Sequence, residues 1–232
     1  MTANQVADII KKGKKIVFLT GAGVSTPSGI PDYRSVTGLY TKSGIKEPEY
    51  LLSRRALTND TEDFHRFIKQ LCNSDAKPNI IHKKMAELDK TKNVAIVTQN
   101  IDGLHIKAGS KNVVEFHGSL ASCYCSKCNV PVDVDIFVKD FKHDCCGGTL
   151  RPDVVLYDEQ INYENINRAI DALTTADTVV VVGTSFKVYP FAALIEYALS
   201  TATIITINKE PVYNVPTDYT YIGDAVDVFG LI

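Results

Sequence analysis

The stretch Val94-Ala95-Ile96-Val97-Thr98-Gln99-Asn100-Ile101-Asp102-Gly103 decides how this chain is read. Four apolar residues in a row, Val94 to Val97, predict a strand buried on both faces of a parallel sheet. The run stops at Thr98, Gln99, Asn100 and Asp102. Asn and Asp are ordinary turn residues, so a plain strand–turn junction would look the same. In open α/β sheets, however, ligands sit beyond the carboxyl ends of the strands, where a polar cluster can carry chemistry. The segments on either side decide between the two.

Upstream, an amphipathic helix over Asn4–Lys12 ends at Gly13, and Lys14–Thr20 predicts the first buried strand. Gly21-Ala22-Gly23-Val24-Ser25-Thr26-Pro27-Ser28-Gly29 follows at once. A glycine-rich turn after a strand lets the backbone approach a pyrophosphate, whose charge the N–H groups of the next helix can bind. Thr26 stands where a hydride-transfer fingerprint has its third glycine, and Tyr40–Glu47 shows no second strand ending in an acid. The loop therefore reads as a dinucleotide loop outside the dehydrogenase pattern.

The polar, glycine-punctuated stretch from Arg34 to Pro48 has the length of a functional lid or an insert. Helices are predicted over Asp60–Leu71 and Pro78–Leu88, with His65 and His82 read as structural. Downstream of the central strand come a short helix at Gly103–Gly109 and a strand over Asn112–Phe116 that ends in His117-Gly118. A histidine at a strand's carboxyl end is placed for general-base work, although a hydrogen-bonded turn histidine has the same look.

Ser119–Leu150 breaks the alternation and carries Cys123, Cys125, Cys128, Cys145 and Cys146. Cys125-x2-Cys128, followed after 16 residues by Cys145-Cys146, has the length of a zinc ribbon with an irregular second half. The ligand set is then Cys125, Cys128, Cys145 and Cys146, or a Cys3His set in which His143-x2-Cys146 restores the usual spacing. Four protein ligands leave no open position, so the metal would be structural. Further on, a helix over Ile161–Leu173, a strand over Asp177–Val182, a helix over Pro190–Leu199 and a strand over Thr203–Ile207 resume the α/β order. The fold class is α/β: a Rossmann-type doubly wound parallel sheet with a small zinc-binding and helical domain. We assign residues 1–31, 80–118 and 154–232 to the large domain, and 32–79 and 119–153 to the small one.

The bulk properties agree. A hydrophobic share of 45% and a charged share of 22% suit a soluble globular protein. A net charge of −2 provides no field for nucleic acid or an anionic membrane. No apolar run approaches the roughly 20 residues of a membrane span, and Met1–Lys15 has no signal-peptide core. A cytoplasmic protein is expected, with a monomer favoured.

Taken together, GAGVSTPSGIPDYR (21–34), TQNIDGLH (98–105), FHG (116–118), the cysteine cluster, RPDVVLYDE (151–159), GTSFKVYP (183–190) and INKEP (207–211) resemble the sirtuin family. The match runs through nearly the whole chain, in order. The resemblance implies an NAD-dependent protein-lysine deacylase that consumes NAD and holds one structural zinc. By position, Gly21, Ala22, Gly23, Thr26, Tyr33 and Arg34 would meet the phosphates and ribose of NAD. Gln99 and Asn100 would meet the nicotinamide ribose, and Ile30, Ile101 and Asp102 the carboxamide. Gly183, Thr184, Ser185, Asn208, Asp224 and Ala225 would line the adenosine side. The resemblance gives catalysis to His117, as base, with Asn100 and Asp102. Acyl-lysine would enter as an extended strand between 155–159 and 186–190, and the products would be nicotinamide, free lysine and O-acyl-ADP-ribose.

Some positions depart from the family pattern. Tyr33 stands where Phe is common, and Asp158 replaces a usual glycine. Tyr40 is followed by Thr41, Lys42 and Ser43, without the arginine of members that remove dicarboxylic acyl groups, so uncharged acyl groups are expected. Mono-ADP-ribosyl transfer in the same pocket and a non-catalytic NAD-binding module are the competing readings.

Overall fold

The computed structural model describes residues 1–31, 48–72 and 75–232. Strands β1 (Lys15–Thr20), β2 (Asn93–Thr98) and β3 (Val113–Glu115) come first in the chain. Then β4 (Gly118–Cys125), β5 (Pro131–Val132) and β6 (Leu150–Val154) form a separate antiparallel sheet. Finally β7 (Thr178–Val182), β8 (Thr203–Asn208) and β9 (Tyr219–Ile222) rejoin the first three. The large sheet is parallel throughout, in the order β3-β2-β1-β7-β8-β9. Among its own strands that order is 3-2-1-4-5-6, the doubly wound arrangement, and its switch point lies between β1 and β7.

Alternation along each strand feeds two cores. Ile16 and Phe18 of β1 pack with Val6, Ile10, Ile81, Met85 and Phe229 on one face. Val17 and Leu19 pack with Leu173, Phe191 and Leu194 on the other. Val179–Val182 are all 0% exposed, which is why this strand reads as an unbroken apolar run. Each such side chain contributes about 1.5–3 kcal/mol by leaving water. The registers Thr20↔Thr98, Thr20↔Val182 and Thr98↔Glu115 bring the carboxyl ends level, so the following residues share one rim.

A third core unites the two segments that interrupt the large sheet. Leu51, Ala56, Phe64 and Ile68 pack on Cys123, Cys125, Phe137 and Leu150. His65 is structural, as read: its Nε2 lies 2.5 Å from Phe137 O and its ring meets Phe137 edge-on. The pieces are stitched by backbone, with Tyr157 N donating to Leu52 O (2.8 Å) and Arg54 N to Tyr157 O (3.1 Å).

Two sequence expectations change, and one strand had no reading in the sequence. Tyr219–Ile222 is an edge strand, and its half-exposed residues leave no apolar run to read. The helix expected at Pro190–Leu199 is a 3₁₀ segment, Phe191–Tyr197. The glycine-rich loop opens two short 3₁₀ turns, Ala22–Val24 and Thr26–Ser28, rather than a regular helix; Pro27 and the left-handed Gly29 (φ 84°) stop it from continuing. No helix among the described residues is long and apolar enough to cross a membrane.

Candidate active site

The loops after β1 and β7 meet across the switch point. Gly21 N donates to Val182 O, and Gly23 N to Gly183 O at 2.8 Å. A Cβ on Gly23 would stand 2.7 Å from Gly183 Cα, so only glycine lets the two backbones pass this closely. Gln99 Nε2 ties the β2 tip to the β7 loop by donating to Thr184 Oγ1 (2.9 Å), and Thr184 Oγ1 also accepts from Phe186 N.

Asn100 and Asp102 are organised by a residue the sequence reading passed over, Ser25. Asn100 Nδ2 donates to Gly21 O and to Ser25 Oγ, both at 3.1 Å. Ser25 Oγ in turn donates to Asp102 Oδ2 (2.7 Å), while Leu104 N donates to Oδ1 (2.9 Å). Both carboxylate oxygens are thus held. His82, read as structural for want of partners, lies beside this group with Nε2 3.4 Å from Ser25 Oγ. It is 0% exposed, and burial pushes it down to about 4 despite the opposing pull of Asp102. The signal for it was local: Asn79 caps the helix Ile80–Leu88 and also donates to Val24 O and Ser28 Oγ, so this helix start carries the loop.

His117 sits two residues past β3, with its ring against Phe116 and Phe191. Its Nδ1 lies 3.2 Å from Gln99 O. A carbonyl only accepts, so Nδ1 carries the proton and Nε2 keeps its lone pair. Burial lowers its pKa below the ordinary histidine range, which keeps the ring neutral. Glu115, just upstream, is raised by burial and accepts from Ser119 Oγ (3.1 Å).

The structure brings Gly21, Ala22, Gly23, Thr26, Gln99, Asn100, Ile101, Asp102, His117, Gly183, Thr184 and Ser185 to the carboxyl-end rim. On the far side, Asn208 O accepts from Gly223 N, and Asp224 caps the helix Ala225–Phe229. Thr26, Pro27, Lys209, Asp224, Val226 and Asp227 line an open cavity of about 410 Å³ there. Lys209 Nζ pairs with Asp224 at 3.0 Å. Ile30 lies within the described part of the loop, which ends at Pro31, whereas Tyr33, Arg34, Tyr40 and the expected lid at 34–48 fall wholly or mainly outside the described residues. Glycine loops at the switch point, a held carboxylate and a neutral histidine along one rim fit the binding of a dinucleotide across the carboxyl ends of the strands.

Beside this rim, the 155–159 segment is pinned by a bidentate ion pair. Arg151 Nη1 and Nη2 lie 2.5 and 2.8 Å from the two Glu159 oxygens, and Leu156 N donates to Oε2. Asp158 adopts φ 71°, the left-handed region that explains why a glycine is usual at this place.

The cysteine module gathers Cys125, Cys128, His143 and Cys146, with all four ligand atoms within 4.8 Å of one another. Nearest-neighbour separations run from 3.4 to 3.6 Å. A tetrahedral zinc with bonds of about 2.0–2.3 Å requires edges close to these. The four-cysteine set is therefore corrected: Cys145 is exposed and stands outside the group, and His143 takes its place. A tight turn decides it, since Cys146 N and Gly147 N both donate to His143 O, which turns residues 143 and 146 to the same side.

Known proteins now bear on this geometry. Residues 21–190 match the model of the Sir2 family. The chain is 50% identical to a protein of Listeria monocytogenes (serotype 4b, strain F2365) named NAD-dependent protein deacetylase, covering 99% of this chain and 100% of that one. It is 52% identical to one of the same name from Enterococcus faecalis, over 86% of this chain and 84% of that one. Among solved structures it is similar to a Sir2 homologue in complex with NAD: TM-score 0.85, 34% identity, 98% of this chain and 91% of that one. It is also similar to a Sir2 chain solved with a deacetylated peptide and 3′-O-acetyl-ADP-ribose: TM-score 0.87, 30% identity, 100% of this chain and 97% of that one. With this agreement in motif, fold and site, the chain belongs to the Sir2 family.

Proposed function

We propose that the chain is an NAD-dependent protein-lysine deacetylase that yields nicotinamide, free lysine and O-acyl-ADP-ribose. The observation that carries this is the presence of Asn100, Asp102 and a neutral His117 along the carboxyl-end rim of the parallel sheet, in a chain 50% identical to proteins named for that activity. NAD, when bound, supplies a ribose carbon that parts from nicotinamide and takes up the acyl oxygen. Gly21, Ala22, Gly23 and Thr26 would hold its phosphates, with Tyr33 and Arg34 beside them. Gly183, Thr184, Ser185, Asn208, Asp224 and Ala225 would hold the adenosine side.

Asp102, fixed at both oxygens, keeps its charge directed and binds the carboxamide together with Ile30 and Ile101. Asn100 and Gln99 orient the nicotinamide ribose. His117 accepts a proton at Nε2 from a ribose hydroxyl, which its fixed tautomer and neutral state allow. Zinc, held by Cys125, Cys128, His143 and Cys146, supplies a structural cross-link and no open coordination position. Acyl-lysine enters as an extended segment between 155–159 and 186–190, and acetyl or another uncharged acyl group is the substrate. We place the protein in the cytoplasm as a monomer, with no nucleic acid or membrane partner; thiols kept free to bind metal suit a reducing compartment.

The test is an acetyl-lysine peptide incubated with and without labelled NAD. Nicotinamide release with ADP-ribose recovered on the acyl group is the expected result. Label on protein would indicate ADP-ribosyl transfer, and no release at all would leave only a binding module.

A further inference from the structure

We propose that His105 is a positioning residue for Asp102, given that Asp102 acts on the nicotinamide end of NAD. Its hydrogen bond to Thr20 and its edge contact with His82 hold the path His82–Ser25–Asp102 against the tip of β1. His105 lies on the short helix Leu104–Lys107 and is only 2% exposed. Its Nε2 is 3.1 Å from Oγ1 of Thr20, itself 0% exposed, while Nδ1 is buried without a partner among the described residues. For packing alone, a leucine or phenylalanine would avoid burying a polar atom unpaired.

The ring earns a second role through geometry. It meets His82 at 4.7 Å between centroids and 61° between planes. His82 Nδ1 accepts from Asn79 N (3.4 Å), so its proton sits on Nε2 and faces Ser25 Oγ. A turn of the His82 ring would break that arrangement, and the edge of His105 is what fills the space beside it. Thr20 is joined to Gly21, whose carbonyl accepts from Asn100. One buried imidazole thus connects the β1 tip, whose Gly21 carbonyl holds Asn100, to His82, which faces Ser25 and through it Asp102.

The experiment uses the full chain in three variants, with folding checked by circular dichroism. In His105→Phe, kcat/KM for NAD should fall at least about tenfold, through kcat, as expected for a displaced reacting geometry. KM for the acetyl-lysine peptide should stay within about twofold, since uniform binding is untouched. His105→Gln, whose amide nitrogen can stand where Nε2 stands, should restore most of the loss. Nitrogen-15 spectra should show one His82 tautomer in wild type and in the glutamine variant, and a mixture in the phenylalanine variant. Wild-type turnover in His105→Phe overturns the inference, and so does an equal loss in His105→Gln. Should His105→Phe not fold, Thr20→Val removes the same hydrogen bond from the other side: lost kcat supports the inference, and retained kcat overturns it. A wild-type chain that releases no nicotinamide sinks the deacetylase reading itself, and the proposed role of His105 with it.

Discussion

Beyond the tips of β1 and β2, Asn100 reaches Ser25 across 75 positions of sequence and Gln99 reaches Thr184 across 85. In the cysteine module, His143 and Cys146 are three positions apart, and Cys128 meets His143 across 15. The first site is set by the sheet: register brings the strand ends level, so polar side chains far apart in sequence meet just beyond them. The second is set by two turns, and its donors include exposed Cys128 and half-exposed Cys146. One region therefore depends on the core behind it. The other depends on an ion, because two short turns bury too little to hold four donors together.

Metal removal should separate the regions most sharply. Structural zinc contributes on the order of 10 kcal/mol in small modules. Cys146→Ser should therefore lose the metal and the fold of β4–β6, whereas Cys145→Ser should keep one zinc per chain and full stability. Metal analysis with thermal melts checks both, and zinc lost from Cys145→Ser would return that residue to the ligand set. The converse change is His117→Ala, which should leave all three cores and the zinc site intact. A lost general base should cost about 10²–10⁴ in turnover while NAD binding survives; calorimetry beside a nicotinamide assay reads the split. The acid limb of wild-type activity should lie below the ordinary histidine range, because protonation disables His117 and burial holds its pKa down.

Acid should tell the regions apart by stability as well. His82 and His105 are buried neutral, and burial lowers both, His82 to about 4. Below the ordinary histidine value the unfolded chain binds protons that the folded chain refuses. Stability is thus complete above that value and falls as pH drops toward about 4, by on the order of 3 kcal/mol. Urea midpoints measured between neutral and mildly acid pH should show this decline, and His82→Asn should make it shallower while leaving the part that buried His105 contributes. An equally steep decline in that variant would place the sensitivity elsewhere. The smallest effect is expected at Asp158, where φ is 71°. Asp158→Gly relieves the left-handed strain and should raise stability by less than about 1 kcal/mol, offset in part by the exposed Arg55 pair; a change in Tm of either sign by several degrees would contradict it.

The sequence by itself determined the parallel sheet and picked out polar residues that lie along its carboxyl-end rim. Val94–Val97 and Val179–Val182 are buried on both sides, which leaves an unbroken apolar run that nothing but a covered strand requires. Gly21, Gly23, Asn100, Asp102 and His117 stood out because each breaks such a run where it ends. Tertiary structure alone decided three matters. His82 and His105 look like helix-face histidines until the sheet brings Ser25, Asp102 and Thr20 to them. The fourth zinc ligand depended on the hydrogen-bonded turn at His143, because adjacent Cys145 and Cys146 present the same chemistry in sequence, whereas only Cys146 joins the donor group and Cys145 is left exposed. The edge strand β9 is held by its neighbour, through Ile205–Asn208 pairing and the Thr206–Thr220 hydroxyl contact at 2.9 Å, and not by a pattern of its own. Burial leaves its mark on local composition, whereas the pairing of distant polar groups is a property of the closed fold.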